Sequence, residues 1–229
     1  MLDFKNDIAE IDGWLTKAEG VFLYKTAKAV SSENVIVEIG SWKGKSTICL
    51  GKGVLNGNNA EIYAIDPHVD SFEHHKFGEA DTYQEFTQNI KNAEVEQYIK
   101  PIRKTSESAS RNFHEPVGLL FVDGAHKFKF VQSDIESWFS KVEDSGIIAF
   151  HDTRSFFPLG PAGPSLATAI LLLTSSQIKN PKLIDTITYC EKVKKNSFLD
   201  RAKNILFLFY RTLFGWIGAI EPSKRVMFK

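Results

Sequence analysis

Two cysteines, Cys49 and Cys190, are all that 229 residues contain. That is too few for a disulfide framework and fits a reducing, cytoplasmic setting. Surplus charge of one sign is missing as well. The 28 Lys and Arg cancel the 28 Asp and Glu, so no bulk basic field exists to recruit nucleic acid. The opening residues, MLDFKNDIAEIDGW, lack a basic stretch followed by an apolar core, so no signal peptide is expected. Repeats and low-complexity segments are also absent. What remains, 43% apolar and 24% charged, describes a soluble globular chain long enough for one sizeable α/β domain.

The pattern along the chain alternates. Trp14 to Val30 carries apolar residues at near-helical spacing. The run NVIVEIG ends in glycine and reads as a buried strand, with a helix expected over Gly44 to Leu55. EIYAID is a second strand, stopped by Pro67, and the polar stretch His68 to Glu79 reads as a solvated loop or flap. Asp81 to Ala93 is expected helical, YIKPIRK a strand and Glu107 to Phe113 a short helix. VGLLFVDG is a strand followed by a helix over Phe128 to Phe139, and SGIIAFHD is the fifth strand. After the loop FFPLGPAGP, a helix around Leu166 to Ser176 leads to KLIDTITYC as one sixth strand. Strands alternating with helices predict a Rossmann-like, doubly wound, mostly parallel sheet with helices on both faces. Right-handed crossovers place every strand's C-terminal end on one edge, where ligands bind.

Three strand ends carry the chemistry. The first is VEIGSWKGKST, whose last letters suggest a phosphate-binding loop. That loop needs four residues between its glycines, whereas Gly40 and Gly44 have three between them. Glu38 precedes the first glycine by two. An acid there repels phosphates but suits a ligand that is cationic or offers hydrogen-bond donors. Asp66 closes the second strand, where nucleotide folds use an acid to accept ribose hydroxyls. Asp123 closes the fourth strand and suits either reading. Glu38, Asp66 and the short glycine spacing together favour a nucleoside without phosphates, and the adenosyl sulfonium of S-adenosylmethionine fits them best. Lys43 and Lys45 are then expected on the helix surface.

Taken together, GWLTKAEGVFLYKTAK, VEIGSWKGKST, IYAIDPH, FVDGAH and GIIAFHD resemble the class I S-adenosylmethionine-dependent methyltransferases. Within them the chain looks closest to the branch that includes metal-dependent O-methyltransferases of sugars and polyketide glycosides. The resemblance runs from about Trp14 to Thr153. It implies that Glu38, Gly40 and Gly44 shape the loop under the methionine part of the cofactor, with Ser41 and Trp42 lining it. Asp66 would bind the ribose, Ser106 would sit near the adenine, and Asp123 would belong to the cofactor site as well. Asp123, Asp152 and His151 would hold a divalent metal such as Mg²⁺, with His126 as proton acceptor. Where related metal enzymes carry acids or Asp-Asn, this chain has His151-Asp152. The resemblance thus implies an O-methyltransferase acting on a sugar or polysaccharide hydroxyl of a small-molecule or glycan acceptor.

Plainer readings stand beside these. Asp123 caps the helix after it in one, and His151 is a structural partner in another. His68, His74 and His75 read as solvated, with Phe72 and His75 as substrate contacts in the alternative. The chain divides into an N-terminal helical cap (1–33), a catalytic domain (34–195) and an apolar, basic tail (196–229). From Glu191 onward nine Lys and Arg face three acids, so the tail carries a surplus of six positive charges. Asn204 to Ile220 is apolar but short of the ~20 residues a span needs, and Arg211 interrupts it. Packing on the domain or in a homodimer is the preferred reading, and an interfacial helix on an anionic inner leaflet is the other. A non-catalytic adenosyl-nucleotide binder, or a membrane-docked assembly protein, is the rival to an enzyme.

Overall fold

The computed structural model describes residues 8, 10–69, 81–154 and 162–214. Strand β1 (Val35–Ile39) is buried at every position, as a strand covered on both faces must be. It lies mid-sheet in the order β3-β2-β1-β4-β5-β7-β6. It pairs with β2 (Ile62–Ile65) and β4 (Val117–Val122), with β3 (Ile99–Ile102) beyond β2 and β5 (Val142–Phe150) beyond β4, all parallel. The doubly wound, mostly parallel sheet expected from the alternation is therefore present.

One expected strand is two. KLIDTITYC belongs to a hairpin, β6 (Ile178–Ile184) and β7 (Ile187–Lys192), which pair antiparallel, β7 also running antiparallel to β5. The chain reverses at Asp185, whose φ of 48° is a left-handed conformation that Asp tolerates better than most residues.

Helix α1 (Lys17–Ala29) opens with a capping box between Thr16 and Glu19. It crosses α2 (Lys45–Leu55) closely, since a Cβ on Gly53 would lie 2.5 Å from the Tyr24 carbonyl oxygen. Phe22, Leu23 and Ala27 of α1 share one apolar cluster with Ile48, Leu50, Ile36 and Ile62. The N-terminal helix thus belongs to the same core as the sheet. The remaining α-helices among the described residues are α3 (Tyr83–Asn92), α4 (Ser106–Ser110), α5 (Phe128–Trp138), α6 (Ala162–Thr174) and α7 (Phe198–Phe214). α5 and α6 cover the other face through Val131, Trp138, Ala167 and Leu172, packed with Val37, Leu120 and Ile148.

Candidate active site

Register places the strand-end residues in one row. Ile65, Ile39, Val122 and Phe150 are lateral partners across β2, β1, β4 and β5. The residues that follow them, Asp66, Gly40, Asp123 and His151, therefore stand side by side at the C-terminal edge of the sheet.

The loop after β1 is built for close approach. Gly40 has φ of 87° and Gly44 of 89°, which glycine adopts without penalty. Trp42 shares the positive region with φ of 41°. Its backbone N–H donates to Asp66 Oδ2 at 2.9 Å, and His68 N–H donates to Oδ1 at 2.7 Å. Asp66 thereby ties the first and second strand-end loops together. Ser41 is buried and its Oγ has no hydrogen-bond partner. Such a group costs stability unless something satisfies it, and here it sits where a nucleoside cofactor is expected. The Trp42 ring stacks on Trp14 at 5.4 Å with 10° between planes.

Glu38 is fully buried and accepts from Ser46 Oγ and Thr47 Oγ1, each at 2.5 Å. Its carboxylate fastens the loop to the start of α2. Burial pushes its pKa up to about 7, against the two hydroxyl donors that lower it. Lys43 and Lys45 are buried rather than on the helix surface. Lys43 Nζ pairs with Asp12 at 2.8 Å and Glu85 at 3.2 Å. Lys45 Nζ donates to the carbonyls of Ile11 and Gly13 at 2.8 and 3.2 Å. The residue that a phosphate loop would use on its ligand holds the N-terminal segment instead. His68 is buried too, against the expectation of a solvated loop: Nδ1 lies 3.0 Å from Thr82 Oγ1, and the ring packs on Tyr83 and Phe86. Phe72, His74 and His75 lie outside the described residues.

Three side chains converge beyond β4 and β5. One ligand atom each from Asp123, His126 and Asp152 lies within 4.8 Å of the others. His126 Nε2 is 3.0 Å from Asp152 Oδ2. Asp123 does not cap the next helix, because α5 starts after Lys127. His126 belongs to the connecting loop, and its carbonyl is met by α6 so closely that a Cβ on Gly163 would lie 2.1 Å away. Asp152 takes φ of 52°, turning its carboxylate toward His126. Val131, Phe150 and Pro164 line the cleft with Asp123 and His126.

His151 stands behind this trio. It is only 4% exposed. Its Nδ1 lies 3.1 Å from Asp123 Oδ1 and 3.3 Å from Asp152 Oδ2, without the alignment of a full hydrogen bond to either. Nε2 lies 3.4 Å from Glu19 Oε2. Burial disfavours the imidazolium, but Asp123, Asp152 and Glu19 outweigh it and hold the pKa well above its ordinary value. Burial likewise raises Asp123, whereas the hydrogen bond to His126 and the closeness of the His151 ring overcome it at Asp152 and hold that carboxyl far below its ordinary value. Glu19, which sequence reasoning passed over, is completely buried and also accepts from Thr186 N and Oγ1 at 2.8 and 2.6 Å. Its one legible signal was the capping box. Ser106, expected near the adenine, accepts from Trp138 Nε1 at 2.9 Å beside Asp134.

A family model described as a methyltransferase domain matches residues 37–153, which contain every candidate site residue. The uncharacterized protein y4gI of Sinorhizobium fredii is 32% identical over 121 residues, 52% of this chain. The matched part is 13% of that relative's length. Solved structures with the same fold include the O-methyltransferase TomG from Streptomyces achromogenes, involved in tomaymycin synthesis and in complex with SAM. Identity there is 13% and the TM-score 0.57, over 82% of this chain and 86% of TomG. MycE, a methyltransferase of the mycinamycin pathway in complex with Mg, SAH and mycinamycin VI, matches at 16% identity and TM-score 0.54. The match covers 85% of this chain and 54% of MycE.

Proposed function

The chain belongs to the methyltransferase domain family, and from that premise we propose that it O-methylates a sugar or polysaccharide hydroxyl with help from a divalent metal and a histidine base. As a class I enzyme it takes the methyl group from S-adenosylmethionine. The observation that carries the finer reading is the His126–Asp152 pair, 3.0 Å apart beside Asp123, level with the cofactor loop.

The residues fit both groups. For the cofactor, the buried and unpartnered Ser41 Oγ lies in a loop that Gly40 and Gly44 bend, and Asp66 closes the neighbouring strand. For the metal, carboxylates of Asp123 and Asp152 supply the hard oxygen donors that suit Mg²⁺ or Mn²⁺. When bound there, such an ion lowers the pKa of a coordinated hydroxyl. His151 takes no ligand role in this assignment. It positions the two acids from behind and offsets their charge.

A sugar hydroxyl is a weak nucleophile until its proton leaves. Asp152, held ionised, accepts only, so His126 donates to it through Nε2 and takes the substrate proton at Nδ1. Asp152 then stabilises the imidazolium that forms. Asp66 and Glu38 set the loops around the cofactor and touch no proton in the reaction.

The test is methyl transfer from labelled S-adenosylmethionine to a panel of sugar and glycan acceptors, with EDTA and with Mg²⁺ restored. Turnover that EDTA abolishes, and that His126→Gln lowers by about 10²-fold or more, supports the reading. Metal-independent turnover, or a His126→Gln enzyme of full activity, sinks it.

A further inference from the structure

Helix α7 is built inside out. Its polar Asn204 and Arg211 are 0% and 5% exposed, while Phe198, Leu199, Ile205, Leu206, Phe209 and Tyr210 face solvent, Phe198 at 88%. At 100° per residue, those six fall within an arc of about 140°. The inward face is fixed by polar contacts. Asn204 Nδ2 donates to the Ile178 carbonyl at 3.1 Å, and Arg211 Nη2 donates to the Ser165 carbonyl at 2.8 Å. The helix is therefore locked with its apolar face outward, the reverse of a surface helix packed for its own domain.

The neighbouring helix repeats the pattern. α6 packs on α7 and exposes Leu166, Ile170 and Leu173, one stripe at helical spacing. Its first turn holds Pro164, which lines the cleft of Asp123 and His126.

We propose that this face docks on an anionic lipid surface, α7 lying along the interface. Charge decides the occupant. Exposed Arg201 and Lys203 flank the apolar arc on its two sides, and exposed Lys194 and Lys195 shortly precede the helix. A two-fold contact with a second copy sets the same patch against itself, bringing these cations together. Anionic headgroups pair with them while Phe, Leu and Tyr side chains enter the acyl boundary. Among the described residues no helix is long and apolar enough to cross a membrane, and the contacts of Asn204 and Arg211 hold α7 against the domain.

The experiment is flotation of the full chain with vesicles of phosphatidylcholine alone and of phosphatidylcholine mixed with phosphatidylglycerol, at low and high salt. Each cation near an anionic surface contributes about fivefold. Binding to the mixed vesicles at least about tenfold tighter than to neutral ones, and weakened by salt, is expected. Leu206→Glu with Phe209→Glu abolishes it, and Arg201→Glu with Lys203→Glu weakens it by at least about tenfold. S-adenosylmethionine affinity stays unchanged in both variants, which shows that they fold. Equal binding to the two vesicle types, or none to either, overturns the proposal. So does a dimer in sedimentation that Leu206→Glu with Phe209→Glu dissociates without any vesicle binding.

Discussion

A Cβ on Gly40 would lie 2.2 Å from the backbone oxygen of Asp123. The cofactor loop after β1 and the acid after β4 are thus packed backbone to backbone. Gly40 also holds φ of 87°, so alanine there meets a clash and strain together. Gly40→Ala is expected to destabilise the fold by about 3 kcal/mol and to abolish S-adenosylmethionine binding. Denaturant unfolding and calorimetry check both, and a variant of wild-type stability contradicts the close approach.

Asp152 faces both His126 and, through His151, Asp123. Asp152→Asn removes a hard donor and the partner of the base at once. Mn²⁺ affinity, read by electron paramagnetic resonance, is expected to fall at least about tenfold, with turnover lost. Unchanged Mn²⁺ binding argues against the carboxylates as ligands.

Glu38 gives stability a pH dependence. Its folded pKa is raised to about 7 from 4.5, so the folded chain keeps a proton that the unfolded chain has released. Stability therefore falls as pH rises from about 4.5 to about 7 and then levels, an effect on the order of 3 kcal/mol. Glu38→Gln has no such proton, and urea unfolding at pH 5 and pH 8 is expected to show a smaller decline than in the wild type. Equal declines contradict it.

Glu19 joins three distant parts: its own helix cap, the β6–β7 turn at Thr186 and His151 behind the acids. Glu19→Ala leaves Thr186 N–H and a buried His151 without that partner. The expected loss is about 3 kcal/mol, seen as a lower unfolding midpoint. A loss under about 1 kcal/mol means that the linkage is incidental.

These residues also mark what the sequence made legible. Strands that end at Gly40, Asp66 and Asp123 were readable because a buried apolar run closed by Gly or Asp has few alternatives. The site's row then followed from doubly wound topology. Glu19 was not readable, because its contact with His151 joins residues 132 apart and leaves no local periodicity. Lys43 and Lys45 were misplaced for the same reason: their partners Asp12, Ile11 and Gly13 come from a segment without a pattern of its own. The hairpin at Asp185 was hidden inside an apolar run whose only break was Asp-Thr. On α7, apolar residues at helical spacing show that one face is apolar but not which way it points, and that needed Arg211 and Asn204 in place.

Calorimetric titration of the full chain with S-adenosylmethionine and with ATP, repeated on Asp66→Ala, tests the central claim most directly. Micromolar binding of S-adenosylmethionine, absent for ATP and lost in Asp66→Ala, is expected. Binding of ATP alone, or S-adenosylmethionine binding indifferent to Asp66, would contradict it.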